Sequence, residues 1–186
     1  YSPVPGPRLL ACTVADRRAL VDLLAADTRD RGWSSAHVNF LPETECAAFD
    51  DDWLPRFDWQ FHWRNRGYRD FEDFLDALTA KKRKNIRQER ARLARDGWHF
   101  ERRTGSDLCS HDIDFIHHCY IRTFADKGNT PALTRGFFER IVRDLPTRTL
   151  AVFASRGDEP LACAFLLQSD TTLYGRYWGC LEDAPG

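Results

Sequence analysis

Methionine is missing from all 186 residues, position 1 included. With the proline-spaced lead-in Tyr1-Ser2-Pro3-Val4-Pro5-Gly6-Pro7, this places the expected natural start upstream. Also missing is any apolar run near the roughly 20 residues that a spanning helix needs, and any signal-peptide pattern. A soluble, cytoplasmic segment is the expectation. Closely paired cysteines are lacking too. The six, at 12, 46, 109, 119, 163 and 180, are scattered through a chain too large to need staples, and they read as reduced, mostly buried thiols. Net charge is scarce at −1, which by itself points to neither a polyanion nor a polycation as partner.

What is present suffices for a packed core: 42% of residues are hydrophobic and 13% aromatic, enough for one ordinary domain or two small ones. Trp98 to Arg103 alternates with a period of two, which predicts a strand. Ile113, Ile116, Tyr120 and Phe124 then form a helical stripe that Gly128-Asn129 ends. A second helix is predicted after Thr134, with Phe137, Phe138, Ile141 and Val142, closed by Pro146. Three strands are predicted next, over Leu150 to Ala154, Leu161 to Gln168 and Thr171 to Trp178, with connections short enough for an antiparallel meander. In the first eighty residues Asp16 is a candidate cap for a helix ending at Gly32, and Asp70 for one carrying Phe71, Phe74, Leu75 and Leu78. Ala36 to Leu41 and Phe57 to Trp63 read as strands, the latter with Phe57, Trp59, Phe61 and Trp63 on one face.

The charge is unevenly placed. Between Lys81 and Arg95 stand eight cations against Glu89 alone, so this stretch is +7 and the rest of the chain −8. Its apolar seam is thin, Ile86 and Leu93, which leaves most of the helix to solvent or to an anionic ligand. Lys82, Arg83, Lys84 and Arg87 are the candidate anion-binding residues. Phosphates of a nucleotide sugar, a CoA or a tRNA would satisfy them equally, and a solvated helical face is the alternative. Cys109, His111, His117, His118 and Cys119 cluster locally, but consecutive residues on a helix point in different directions, and no metal is expected.

Together the runs Phe61-His62-Trp63-Arg64-Asn65-Arg66-Gly67-Tyr68, Phe71 to Leu78, Lys81 to Arg90, and Leu173-Tyr174-Gly175-Arg176-Tyr177-Trp178-Gly179-Cys180 resemble the bacterial family of predicted N-acyltransferases. These are labelled peptidoglycan biosynthesis or recognition proteins and are related to the Fem-type aminoacyl-tRNA-dependent peptidyltransferases. The resemblance covers nearly the whole chain. It implies a mixed α/β (α+β) fold of tandem GNAT-like domains, both incomplete here, with mainly antiparallel sheets flanked by helices. Residues 1–80 would be the C-terminal part of the first domain, 81–97 a basic connecting helix, and 98–186 the N-terminal part of the second. A following segment rich in Gly, Glu, His and Lys is absent, so the stretch in hand is expected to be inactive alone. The implied acyl donor is an acyl-CoA or an aminoacyl-tRNA, with no tightly bound cofactor. The implied acceptor is a small-molecule or peptide amine.

N-acyl transfer needs an amine held at an activated carbonyl, donors for the developing oxyanion and a route for the amine's proton. In GNAT-like folds the fourth strand presents backbone to the acyl donor and the next helix N-terminus binds pyrophosphate. Thr171 to Trp178 would be that strand. The stretch Gly179-Cys180-Leu181-Glu182-Asp183-Ala184-Pro185-Gly186 carries two carboxylates where a phosphate turn would stand, so the aminoacyl-tRNA donor stays open beside the CoA. Tyr177 is a candidate for protonating a leaving thiolate, or a core tyrosine. Glu182 is a candidate base or an exposed loop carboxylate. Cys180 is a candidate nucleophile, though no neighbour in sequence lowers its pKa. Arg176 can grip a carboxylate or phosphate bidentately. His62, Trp63, Asn65, Tyr120 and Trp178 complete the substrate-binding candidates. The alternative function is a non-catalytic binder of an anionic polymer such as tRNA through the basic helix.

Overall fold

The computed structural model of the chain describes residues 5–182. They belong to two compact units, one up to Arg64 and one from Asn65 onward. The part of the lead-in before Pro5 and the acidic tail beyond Glu182 lie outside the described residues.

In the first unit, Thr13 rather than Asp16 caps α1 (Val14–Asp30), its hydroxyl oxygen accepting from the Asp16 N–H at 3.0 Å. Asp16 then sits in the first turn, where its carboxylate receives the Thr13 hydroxyl at 2.7 Å and favours the helix dipole. The end is as expected. Gly32 adopts φ 64, and the N–H groups of Gly32 and Trp33 return to the carbonyls of Arg29 and Thr28. Val21 packs with Leu9 and Ala48, beside Phe49 and Trp53. A 3-10 turn over Glu43–Ala48 buries Glu45, whose carboxylate accepts the N–H groups of Arg8 and Leu9 at 3.0 and 3.1 Å.

Two strand expectations fail here. In the 36–41 stretch Phe40 has φ 58, which breaks an extended run before Pro42. The 57–63 stretch has no strand beside it among the described residues, and without a ladder an extended segment is not a sheet element. Its side chains bear this out, with Phe57, Trp59 and Phe61 exposed at 94, 91 and 103%.

The second unit opens with α2 (Phe71–Asp76), capped by Asp70 through the Asp73 N–H at 2.8 Å. The predicted helix stops at Asp76 instead of running to Leu78, because Thr79 caps a new one, α3 (Ala80–Arg95). Then come β1 (Trp98–Thr104), α4 (Ser110–Asp126), α5 (Arg135–Asp144), β2 (Thr149–Arg156), β3 (Glu159–Gln168) and β4 (Leu173–Cys180). The expected order is observed. The four strands form one antiparallel sheet, β1-β2-β3-β4, so β1 joins the predicted meander at the β2 edge. The fold is mixed α/β with helices flanking an antiparallel sheet.

The period-two pattern decides which face is covered. Thr149, Ala151 and Phe153 of β2 and Leu161, Cys163 and Phe165 of β3 are buried, while Leu150, Val152, Ala162 and Ala164 between them are half-buried. Against the buried face lie Ile113, Ile116, Cys119 and Tyr120 of α4 with Phe138 and Val142 of α5. Phe138 and Phe165, almost inaccessible, meet edge to face at 5.3 Å. Helix α4 approaches β4 closely at Gly179. The Thr123 hydroxyl lies within hydrogen-bond distance of both the Trp178 and Cys119 carbonyls, at 2.9 and 3.1 Å. A Cβ at Gly179 would strike the Cys119 carbonyl and come within 2.7 Å of that hydroxyl. The cysteines differ from expectation in exposure. Cys119 and Cys163 are buried, Cys180 is half-buried, and Cys12, Cys46 and Cys109 are exposed.

Candidate functional site

Strand β4 is an edge of the sheet among the described residues, and it is irregular. Phe165 faces Tyr177 but the next residue, Leu166, faces Gly175, so Arg176 is the extra residue of a β-bulge. A bulge leaves the added residue outside the ladder, raises the local twist and redirects side chains. Here it brings together three of the residues singled out in the sequence. The Arg176 guanidinium lies over the Tyr177 ring at 5.0 Å and donates to its hydroxyl at 3.4 Å. The Tyr177 ring stands edge-on to Tyr120 at 4.9 Å and also touches Phe138. Tyr177 thus has its ring in the core and its hydroxyl against an arginine.

Tyr120 underlies this edge and does not face solvent. It is 2% exposed, and its hydroxyl accepts the N–H groups of Ala132 and Leu133, both at 3.1 Å, which ties down the turn before α5. Trp178 is the opposite case, 62% exposed on β4 and opposite Ala164. Cys180 ends the strand opposite Ala162. Glu182 is exposed and lies 3.8 Å from the Arg156 guanidinium.

The remaining candidates lie elsewhere. His62 and Trp63 belong to the first unit's exposed stretch, where the His62 ring and the Gln60 side chain are 3.1 Å apart. Asn65, in the second unit, accepts from the N–H groups of Gly67 and Tyr68 and shapes the turn before α2. On α3, Arg83 pairs with Asp76 and Arg87 with Glu72, while Arg90 stacks on Phe71 at 4.5 Å. Lys82 and Lys84 stay exposed. Among the described residues no three His, Cys, Asp or Glu side chains gather as a metal set.

Two polar arrangements were not read from the sequence. Asp112, in the first turn of α4, is 8% exposed and accepts the Cys109 N–H at 2.9 Å and the Arg103 guanidinium at 2.7 Å. Burial disfavours its charge, but the Cys109 groups and Arg103 outweigh burial and hold the carboxyl below the usual range. Arg103 in turn is raised, first by Glu101 and then by Asp112. The spacing from Cys109 to Asp112 is that of a capping box with sulfur in place of a hydroxyl, and this was the available signal. Cys119 and Cys163 meet in the core. Their hydrogen bond, with burial, pushes the Cys163 thiol up out of its usual range, the reverse of an activated nucleophile.

An antiparallel sheet with helices packed on one face, and a strand β4 at its edge among the described residues that is bulged at an arginine, defines a mixed α/β fold. The chain belongs to the FemAB-like family: that family's model, described as peptidoglycan biosynthesis/recognition, matches residues 1–186. No curated protein matches. Family membership associates the chain with peptidoglycan, and no helix among the described residues is long and apolar enough to cross a membrane.

Proposed function

We propose that the protein is an N-acyltransferase of peptidoglycan metabolism, moving an acyl or aminoacyl group to an amine of a peptide or amino sugar, and that β4 is where the donor lies. The observation that carries this reading is the bulge at Arg176 on an edge strand. An edge strand offers unpaired backbone N–H and C=O groups, and an acyl donor with amide groups along its length can pair with them. Arg176 supplies a planar, permanently charged fork for a phosphate or carboxylate. Tyr177 supplies a hydroxyl that Arg176 keeps oriented, suited to donating a proton to a leaving thiolate or alkoxide as the amine attacks. Trp178 gives an exposed flat surface against which a sugar or base can stack. The reading agrees with the family's association with peptidoglycan and with the GNAT-like resemblance, in which the fourth strand contacts the donor.

Acyl-CoA and aminoacyl-tRNA are the two donor classes. The experiment is transfer of a labelled acyl group from each to a peptidoglycan stem peptide and to an amino sugar by the full-length protein, comparing the parent sequence with Arg176→Ala and Tyr177→Phe. The expected result is a drop of tenfold or more in kcat/KM for each variant with one donor class. Full activity in both variants would remove β4 from the site.

A further inference from the structure

The stretch Phe57-Asp58-Trp59-Gln60-Phe61-His62-Trp63 reads alike from either end, large apolar rings and polar side chains alternating about Gln60. Alternation puts Phe57, Trp59, Phe61 and Trp63 on one face and the three polar side chains on the other. The coordinates agree, since the His62 ring and the Gln60 side chain, two residues apart, lie 3.1 Å from each other. Phe57, Trp59 and Phe61 are almost wholly exposed, and Trp63 is mostly so. The chain brackets the stretch on both sides. Pro55, which has no N–H to give a ladder, precedes it, and the turn that Asn65 shapes follows it. What lies between is a segment of strand length with a water-facing apolar side, and among the described residues no neighbouring strand takes up its main-chain groups.

A second copy of the same segment is the partner that this order fits. Side by side and antiparallel about Gln60, two copies set Phe57 opposite Trp63 and Trp59 opposite Phe61, each pair occurring twice by symmetry. Asp58 then stands opposite His62, again twice. Arg64 comes diagonal to the Asp58 of the other copy, within reach of a long side chain. The Asp58 carboxylate receives the Trp59 N–H at 2.7 Å and has lone pairs left for these donors.

Other alignments lose this match. A slip by one residue sets apolar rings against polar side chains, and a slip by two leaves Phe57 or Trp63 with no ring opposite it. Parallel pairing in register sets Asp58 against Asp58. In the antiparallel arrangement Arg56 falls opposite Arg64, a like-charge pair that ends the ladder where Pro55 and the Asn65 turn already close it. The four apolar rings bring about 600 to 1,000 Å² of surface per copy, the size of the roughly 800 Å² per partner that a specific interface covers. We infer that residues 57–63 make a twofold antiparallel contact with the same residues of a second copy. The contact shares no residue with β4, so it stands or falls independently of the transferase reading.

The test is sedimentation equilibrium of the full-length protein over a dilution series. The expected result is a dimer that dissociates on dilution. Trp59→Ser together with Phe61→Ser should raise the dissociation constant tenfold or more while leaving thermal unfolding of the dilute monomer unchanged. Asp58→His sets imidazole against imidazole and His62→Asp sets carboxylate against carboxylate, and each should weaken the dimer about threefold or more. Combining the two exchanges the partners across the axis and should return the dissociation constant to about that of the parent. A protein that stays monomeric at every concentration, a dimer indifferent to the serine variant, or an exchange variant no tighter than the single ones would overturn the inference.

Discussion

Gly179 and Asp112 show how single positions hold the second unit together. At Gly179 the α4 backbone passes so close to β4 that no side chain fits, so Gly179→Ala must push the strand from the helix or bend one of them. Forced overpacking of this kind costs about 1 to 3 kcal/mol. The expected outcome is a loss of that size in chemical denaturation, without loss of the ordered sheet in circular dichroism. Asp112 tests charge instead. Its folded pKa lies below the unfolded value, so its contribution is present above the unfolded pKa of about 3.9 and is lost as pH falls through the folded one. Asp112→Asn should destabilise the protein by about 2 kcal/mol near neutral pH. The gap between parent and variant should close on acidification below about pH 4, and a gap independent of pH would contradict the assignment.

Elements were legible from the sequence where their partners were near in sequence. Strands β2, β3 and β4 alternate cleanly and are joined by short turns, so each has its neighbour within a few residues of chain. The 57–63 stretch alternates just as cleanly and is not a strand, because alternation records which side chains share a face and not whether a ladder is available. The first unit's core rests on Leu9, Val21 and Ala48 instead. Trp59→Ser together with Phe61→Ser should therefore change unfolding free energy by less than about 0.5 kcal/mol, as expected of surface positions. A cost of 2 kcal/mol or more in the isolated, monomeric chain would mean that these rings are buried in solution. The bulge was beyond sequence reading for the same reason. Arg176 was chosen for its charge among aromatics, but its place outside the ladder follows from the register of β4 against β3.

At the scale of the molecule, the uneven charge was plain in the sequence, and the coordinates sort it into a braced face and an open one on a single helix. The break between units at Arg64 and Asn65 was less plain. It falls inside the run Phe61 to Tyr68 that carried the family resemblance, and groups α2 and α3 with the sheet. Composition changes little across it, so nothing in the residues alone marks the place.

The central claim is that the bulged edge of β4 holds an acyl donor. It is tested most directly by following label from an acyl-CoA or an aminoacyl-tRNA into a peptidoglycan stem peptide with the full-length parent protein and its Arg176→Ala variant at matched fold stability. The account predicts transfer by the parent from one of the two donors and a fall of at least tenfold in kcat/KM on losing the guanidinium. Equal transfer by both proteins would contradict it.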